Sequence, residues 1–358
     1  MILDRYILRT ILQPTILICT ILVCIFASFM AARYWDDAAN GLLSAGVVFK
    51  LILLRVLIAL EVLLPTTLYL SVVLALGNLH NKGEILAMSA SGITMSRISR
   101  SVVLLAVLSG LLVGVFSLHI RPWAWTQFFM LKAQAQANFD LSRMQDGIFY
   151  ETGDGNRVIF ASSVDGQRTS ADNIFLLMKR SNSLRVVYAN EAAQHRDANH
   201  LSPVVSLRQG RLYEFAEQSD KGLVLEFSGA TLLLQQQSPL LPEFRVKAAP
   251  VEALVDAGTL EEIAELQWRF VTPLSCILLA ILAIPLSHSS KRQGRQARLP
   301  LAILIFAISY NLGAVTKKMV AQGELAVFPG VFWSQIFVLA CLLVLIWRAS
   351  RFRFRRRS

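Results

Sequence analysis

The chain has 358 residues, 54% of them hydrophobic and only 16% charged, with a formal net charge of +11 at pH 7. A soluble domain carries about 25% charged residues, so much of this chain must face lipid rather than water. The positive excess is scattered between apolar runs and comes with no nucleic-acid reading module, which argues against a nucleic-acid partner.

Read from the N-terminus, six runs stay uncharged for roughly the ~17–25 residues that a bilayer span needs. They are residues 10–32, 62–81, 101–120, 270–290, 299–316 and 325–347. The first is longer than the ~7–15-residue apolar region of a signal peptide and no small-residue cleavage site ends it, so it reads as a retained span. The second begins near Val48, with Arg55 and Glu61 in its outer part. Between spans two and three stands "NKGEILAMSASGI", residues 81–93, read as a short helix with Glu84 near its start and Ile85, Met88, Ser89 and Gly92 along one stripe.

Residues 122–265 change character. Runs such as "RVIFASSV", "NIFLLMKR", "LRVVYANEA" and "GLVLEFSGATLLL" read as strands, separated by turn chemistry in "TGDGN", "VDGQ", "KRSNS" and "SDKG". In "GLVLEFS", Leu223, Leu225 and Phe227 alternate with Val224, Glu226 and Ser228, the period of a half-buried strand. Six or more antiparallel strands imply a sandwich or jelly roll. Helical stalks flank them: "FFMLKAQAQANFDLSRMQ" before, and "VEALVDAGTLEEIAELQWRFVTP" after, where Thr259 and Glu262 have the spacing of a capping box. The chain thus divides into residues 1–121, with three spans and a cytoplasmic helix at about 82–92; 122–265, the inserted β-domain; 266–348, with three more spans; and the basic tail 349–358.

Arg5 and Arg9, Lys82, Arg97 and Arg100, Lys291 to Arg298, and the arginines of the tail all fall on one side of a six-span topology, which the positive-inside rule assigns to the cytoplasm. Both termini are then cytoplasmic and the β-domain lies outside. Cys19, Cys24, Cys276 and Cys341 all sit inside spans, so no disulfide scaffold or metal spacing is present. No GxxxxGK[ST], HExxH or GxSxG motif occurs, and no catalytic site is visible. Arg33, Lys50, Arg121, Lys317 and Lys318 gather at outer span ends. They either snorkel to ordinary headgroups or form a collar for a phosphorylated lipid. Pro65, Pro273 and Pro285 lie within spans, where proline kinks a helix.

Three spans, a β insertion, three more spans, Leu64–Pro65 in span two and the "GEILAMSASGI" helix together resemble the LptF/LptG permease family of the lipopolysaccharide exporter, over essentially the whole chain. "EVLLPTTLYLSVVLALGNLHNKGEI" and Lys317 are more similar to the LptF branch. The resemblance implies an α-helical integral membrane protein of the bacterial inner membrane, with six transmembrane helices and a periplasmic β-jelly-roll domain. It implies a permease that takes lipopolysaccharide from the outer leaflet and passes it along the jelly roll toward the outer membrane. Expected partners are a sister permease (LptG-like) as heterodimer, a dimeric cytosolic ATPase (LptB-like), a single-span periplasmic protein (LptC-like) and lipopolysaccharide itself. No cofactor or metal is expected on this chain, ATP being used by the partner ATPase.

Carried over by position, Glu84, Ile85 and Met88 contact the ATPase, while Arg33, Lys317, Lys318 and Arg55 hold the lipopolysaccharide headgroup. Phe26 and Phe306 border the acyl-chain cavity and gate, and Leu225 and Phe227 line the slide of the β-domain. Ordinary roles compete for each: Glu84 favours its own helix N-terminus, and the apolar residues could be plain core. Two other functions fit the same residues. One is a permease of another lipid or lipoprotein ABC exporter; the other is a non-transporting scaffold for the β-domain.

Overall fold

In hydrocarbon, backbone N–H and C=O groups must be satisfied within their own segment, so long apolar runs fold as helices. The computed structural model describes residues 2–39, 45–137, 146–151, 157–165, 170–180, 183–195, 204–216, 222–233, 246–256, 258–287 and 299–354. Helices α1 (Ile2–Ala39), α2 (Ala45–Asn81), α3 (Glu84–Ala90), α4 (Met95–Val115) and α5 (Arg121–Ala137) come first, with a π-helical turn, Phe116–Ile120, joining α4 to α5. Strands β1 (Phe149–Glu151), β2 (Arg157–Val164), β3 (Ser170–Arg180), β4 (Ser183–His195), β5 (Val204–Ala216) and β6 (Gly222–Leu233) follow. Helices α6 (Val251–Asp256), α7 (Leu260–Leu286), α8 (Leu299–Ala321) and α9 (Trp333–Phe354) complete the chain.

Among the described residues, five helical stretches are long and apolar enough to cross a membrane: Ile2–Trp35, Met95–Ala133, Leu260–Leu286, Leu299–Ala321 and Gly330–Trp347. The remaining expected span, 62–81, lies within α2, which runs unbroken for 37 residues through Pro65 but is not one of the five. The basic loop 291–298 and the last residues of the tail, 355–358, lie outside the described residues.

The chain forms two compact units. One comprises Met1–Ser28, Leu54–Thr126 and Leu240–Ser358; the other comprises Phe29–Leu53 and Gln127–Pro239. In the first, Ile7 and Ile11 of α1, Leu68 to Leu79 of α2, Ile98 to Val113 of α4, and Cys276 to Leu286 of α7 form one apolar core with Ala302, Ile305 and Val338. Gly110 lets α4 approach α7: a Cβ there would stand 2.6 Å from Ile277 Cγ1 and 3.3 Å from the Pro273 carbonyl. Gly114, one turn on, faces Pro273 Cβ at 3.8 Å, the small-xxx-small spacing by which membrane helices come close. The Thr259 capping box forms as the sequence spacing predicts. Thr259 N–H donates to Glu262 Oε2 at 3.2 Å and Glu262 N–H donates back to Thr259 Oγ1 at 3.4 Å. From that cap α7 continues without a break to Leu286, so the later part of the second stalk and the fourth span are one helix.

In the second unit the six described strands pair antiparallel in consecutive order, β1 to β6. Among the described strands this order is a meander, with no crossover connection. A core arises because the sheet bends. Strict alternation would turn every second side chain inward, yet Ala171 and Ile174 are both buried with Asp172 and Asn173 turned out between them. The same double step occurs at Ala189 and Ala192 around Asn190 and Glu191, and at Leu207 and Gly210 around Arg208 and Gln209. The steps are aligned, since Asp172 pairs with Glu191 and Glu191 with Arg208. Asn173 and Gln209 adopt positive φ, 49° and 47°, a region that costs a non-glycine residue about 1–2 kcal/mol. Ile159, Ile174 and Val187 on one side of the bend then share one core with Ala171, Ala192 and Val205 on the other.

Gly210 fixes the packing of β6 in this bent sheet, because a Cβ there would collide with the Phe227 ring and the Tyr188 carbonyl. Gly210→Val is expected to destabilise the sheet unit by ~1–3 kcal/mol. Urea-dependent proteolysis of the full chain in detergent should show cleavage within 127–239 at lower urea. An unchanged midpoint would mean that Phe227 is not seated over Gly210.

Candidate functional site

A charge moved out of water must find partners or it destabilises the fold by several kcal/mol. Five ionisable side chains of the first unit meet under that constraint. Arg121, the first residue of α5, donates from Nε to Glu61 Oε2 of α2 at 2.9 Å and reaches Glu265 Oε1 of α7 with Nη1 at 2.7 Å. Arg269, one turn after Glu265, reaches the same oxygen at 3.3 Å, and Lys317 of α8 pairs with Glu265 Oε2. Glu265 is 1% exposed and Arg269 not at all.

Local sequence explains how these groups are aimed. The π turn Phe116–Ile120 widens the helix just before Arg121, a feature that frequently marks functional sites. Its Ser117 hydroxyl lies 2.7 Å from Glu61 Oε1 and 3.1 Å from the Arg269 carbonyl. That carbonyl is free because Pro273, four residues on, has no N–H to give it. Arg269 turns its other nitrogens to the carbonyls of Ala249 at 2.8 Å, Lys247 at 3.2 Å and Val246 at 3.3 Å, fixing the segment that leads into α6.

The residues expected to face an anionic headgroup separate into distinct environments. Lys317 is 22% exposed, held by Glu265, with its ammonium 5.2 Å from the centre of the Trp268 ring. Lys318, its neighbour, is exposed. Arg55 stacks over Trp125 at 4.8 Å, and Lys247 stands 5.8 Å from the same ring. Arg33 is exposed and belongs to the second unit. Arg121 leaves the expected basic collar, because it is buried and held by two carboxylates. Glu61 and Glu265 escaped sequence reading as partners: they lie far from Arg121 along the chain, and Glu265 stood in an apparent stalk.

Phe306 lines a small cavity with Val62, Pro65, Trp268, Tyr310 and Ser334, between α2, α7, α8 and α9. Its ring stacks on Tyr310 at 6.0 Å. Phe26 is half-buried on α1, whose most apolar window has no fully buried residue within this chain. In the sheet, Phe227 packs against the core, whereas Leu225, two residues before it, is 51% exposed.

At the other end of α2, Gly83 takes a left-handed φ of 74° and turns the chain into α3. A Schellman motif ends α3, with Ile93 N–H donating to the Met88 carbonyl at 3.0 Å, Gly92 N–H to the Ser89 carbonyl at 3.1 Å, and Gly92 at φ 81°. Glu84 accepts a hydrogen bond from Tyr6 Oη at 2.6 Å and has Lys82 at 3.9 Å. Ile85 is 7% exposed within this chain's own helical core and Met88 packs against it. The apolar residue that α3 presents outward is Leu86, 65% exposed.

A bundle of apolar helices around a buried charge cluster, with a capped helix exposed between two of them and a separate antiparallel sheet, is the build of a multi-pass membrane permease. The model of the family described as lipopolysaccharide export system permease LptF/LptG matches residues 5–348. The chain belongs to that family, whose members are transport permeases of the inner membrane. It is 26% identical over 350 residues to the lipopolysaccharide export system permease protein LptF of Escherichia coli K12, covering 96% of this chain and 94% of that one. The LptF protein of Shigella flexneri is similar to the same degree.

Removing one member of a buried ion cluster leaves the others unpaired, at a cost of about 3–5 kcal/mol. Arg121→Met is therefore expected to lower the thermal midpoint of the purified chain in detergent by well over 5 °C. Lys318→Met, at an exposed position, should change stability by less than about 0.5 kcal/mol. Equal midpoints for the two variants would contradict the cluster.

Proposed function

We propose that this chain is the LptF-like half of an ATP-driven lipopolysaccharide exporter, working as a heterodimer with a sister permease, a dimeric cytosolic ATPase and a single-span periplasmic protein. Six spans, cytoplasmic termini and a periplasmic, jelly-roll-like sheet domain belong to this reading. The carrying observation is α3, a capped helix between α2 and α4 that is anchored inward by Ile85 and leaves Leu86 bare beside Glu84. A helix so held can pass force from a docked partner into two spans at once. Glu84, Leu86 and Met88 form the contact with the ATPase, and Ile85 serves as the anchor behind it.

Lipopolysaccharide is taken laterally, its phosphates met by Lys317, Lys318 and Arg55, its acyl chains by the apolar surfaces near Phe26 and Phe306. The apolar window of α1, with no fully buried residue of its own, suits a gate closed by the sister permease. The open row at Leu225, next to Phe227, suits acyl chains sliding across the sheet. Hydrolysis of ATP takes place on the partner, and this chain binds no cofactor.

The test is co-expression with the sister permease and the ATPase, followed by purification through a tag on this chain. Wild type should retain the ATPase, while Glu84→Arg and Leu86→Asp should lose it from a monodisperse permease pair. Ile85→Asp should instead reduce the yield of folded chain, since it buries a charge in the core. Retention of the ATPase by both surface variants would refute docking at α3. Absence of any ATPase from the wild-type complex would favour a scaffold.

A further inference from the structure

Two carboxylates and three cations meet in the charged cluster, so among the described residues it holds one positive charge more than it neutralises. The excess is unevenly placed. Arg121 and Arg269 both grip Glu265 Oε1 from inside, with 7% and 0% of their side chains exposed, while Lys317 takes Oε2 and is 22% exposed. Lys317 also sits over Trp268, which lines the cavity beside Phe306. If the ammonium swung away, Glu265 would keep two arginines and would not become an unpaired buried carboxylate.

We propose that Glu265 is a positioning residue that holds Lys317 in competition with the phosphate of an anionic lipid. The arriving phosphate takes the ammonium from Glu265, while Arg121 and Arg269 keep the carboxylate in place. This rests on the reading of Lys317 as a cargo contact. A phosphate monoester carries about −1.5 to −2 charges near neutral pH, against one for the carboxylate, so it wins a partly exposed ammonium that the headgroup of a zwitterionic lipid does not. Lysine suits the exchange, being a point charge on a flexible stem that follows its anion without a fixed fork geometry. The cluster thereby selects doubly charged headgroups and leaves singly charged or neutral ones unbound.

The test uses the full chain, paired with its sister permease, in nanodiscs of zwitterionic lipid. Lipid A, a phosphorylated glycolipid, and inorganic phosphate are titrated separately, with tryptophan fluorescence as readout and Trp268→Phe to identify the signal from that ring. Glu265→Gln should bind lipid A about ten-fold more tightly, the scale of one charge-assisted hydrogen bond no longer competing. Lys317→Gln should weaken binding in wild type and erase the gain in the Glu265→Gln background. Where Glu265→Gln yields no monodisperse complex, Glu265→Asp, shorter by one methylene, should act in the same direction.

Unchanged or weaker binding by the Glu265 variants, with Lys317→Gln still defective, would overturn the competition and leave the cargo contact standing. Unchanged binding by Lys317→Gln would remove both. An equal Trp268 response to inorganic phosphate at the same concentration would overturn the assignment to a lipid.

Discussion

Glu265 answers to three cations at once, and the positions of four helices follow from it. Its carboxylate is out of water and is met by Arg121 from α5, Arg269 from one turn along α7, and Lys317 from α8. Arg121 needs a second anion, which Glu61 supplies from α2. None of these contacts is available if a helix slides by a residue or turns by a third of a revolution. Apolar surfaces alone would not enforce that, because lipid tails are as apolar as the helices themselves and packing leaves register loosely set. The charge cluster specifies what the apolar core merely permits.

The same helices carry this specification away from the cluster. α2 holds Glu61 in its first half and ends, through the left-handed Gly83, in the exposed helix α3. α7 bears Glu265 and Arg269 near its capped start and packs against α4 where Gly110 allows backbone approach. α4 begins just beyond α3. The charge cluster and α3 are thus joined through helices that share one packed apolar core.

Much of this was legible in sequence, and for physical reasons. Long uncharged runs can only be helices in lipid, and the Thr259 and Glu262 spacing marks a helix start by local hydrogen bonding alone. Segment 81–93 shows its helix through glycines at both ends. What escaped was non-local. Nothing in the neighbourhood of Arg121 shows that two carboxylates from distant helices close on it, so it looked like one more basic residue at a membrane edge. Ile85 looked like half of a docking face, because a seven-residue helix has too few turns to show which side is buried. The jelly roll was inferred from strand count; the aligned double steps at Asn173, Asn190 and Gln209 break the alternation on which strand reading depends.

A double-mutant cycle between Glu61 and Arg121 tests the central claim most directly. Glu61→Gln, Arg121→Met and the combined variant would be compared with wild type by thermal unfolding in detergent. Direct contact in a buried site predicts a coupling energy of roughly 1–3 kcal/mol, the double variant losing clearly less than the two single losses added. Additivity within about 0.5 kcal/mol would mean that the two side chains do not meet, and that something other than the buried charge cluster sets the positions of these helices.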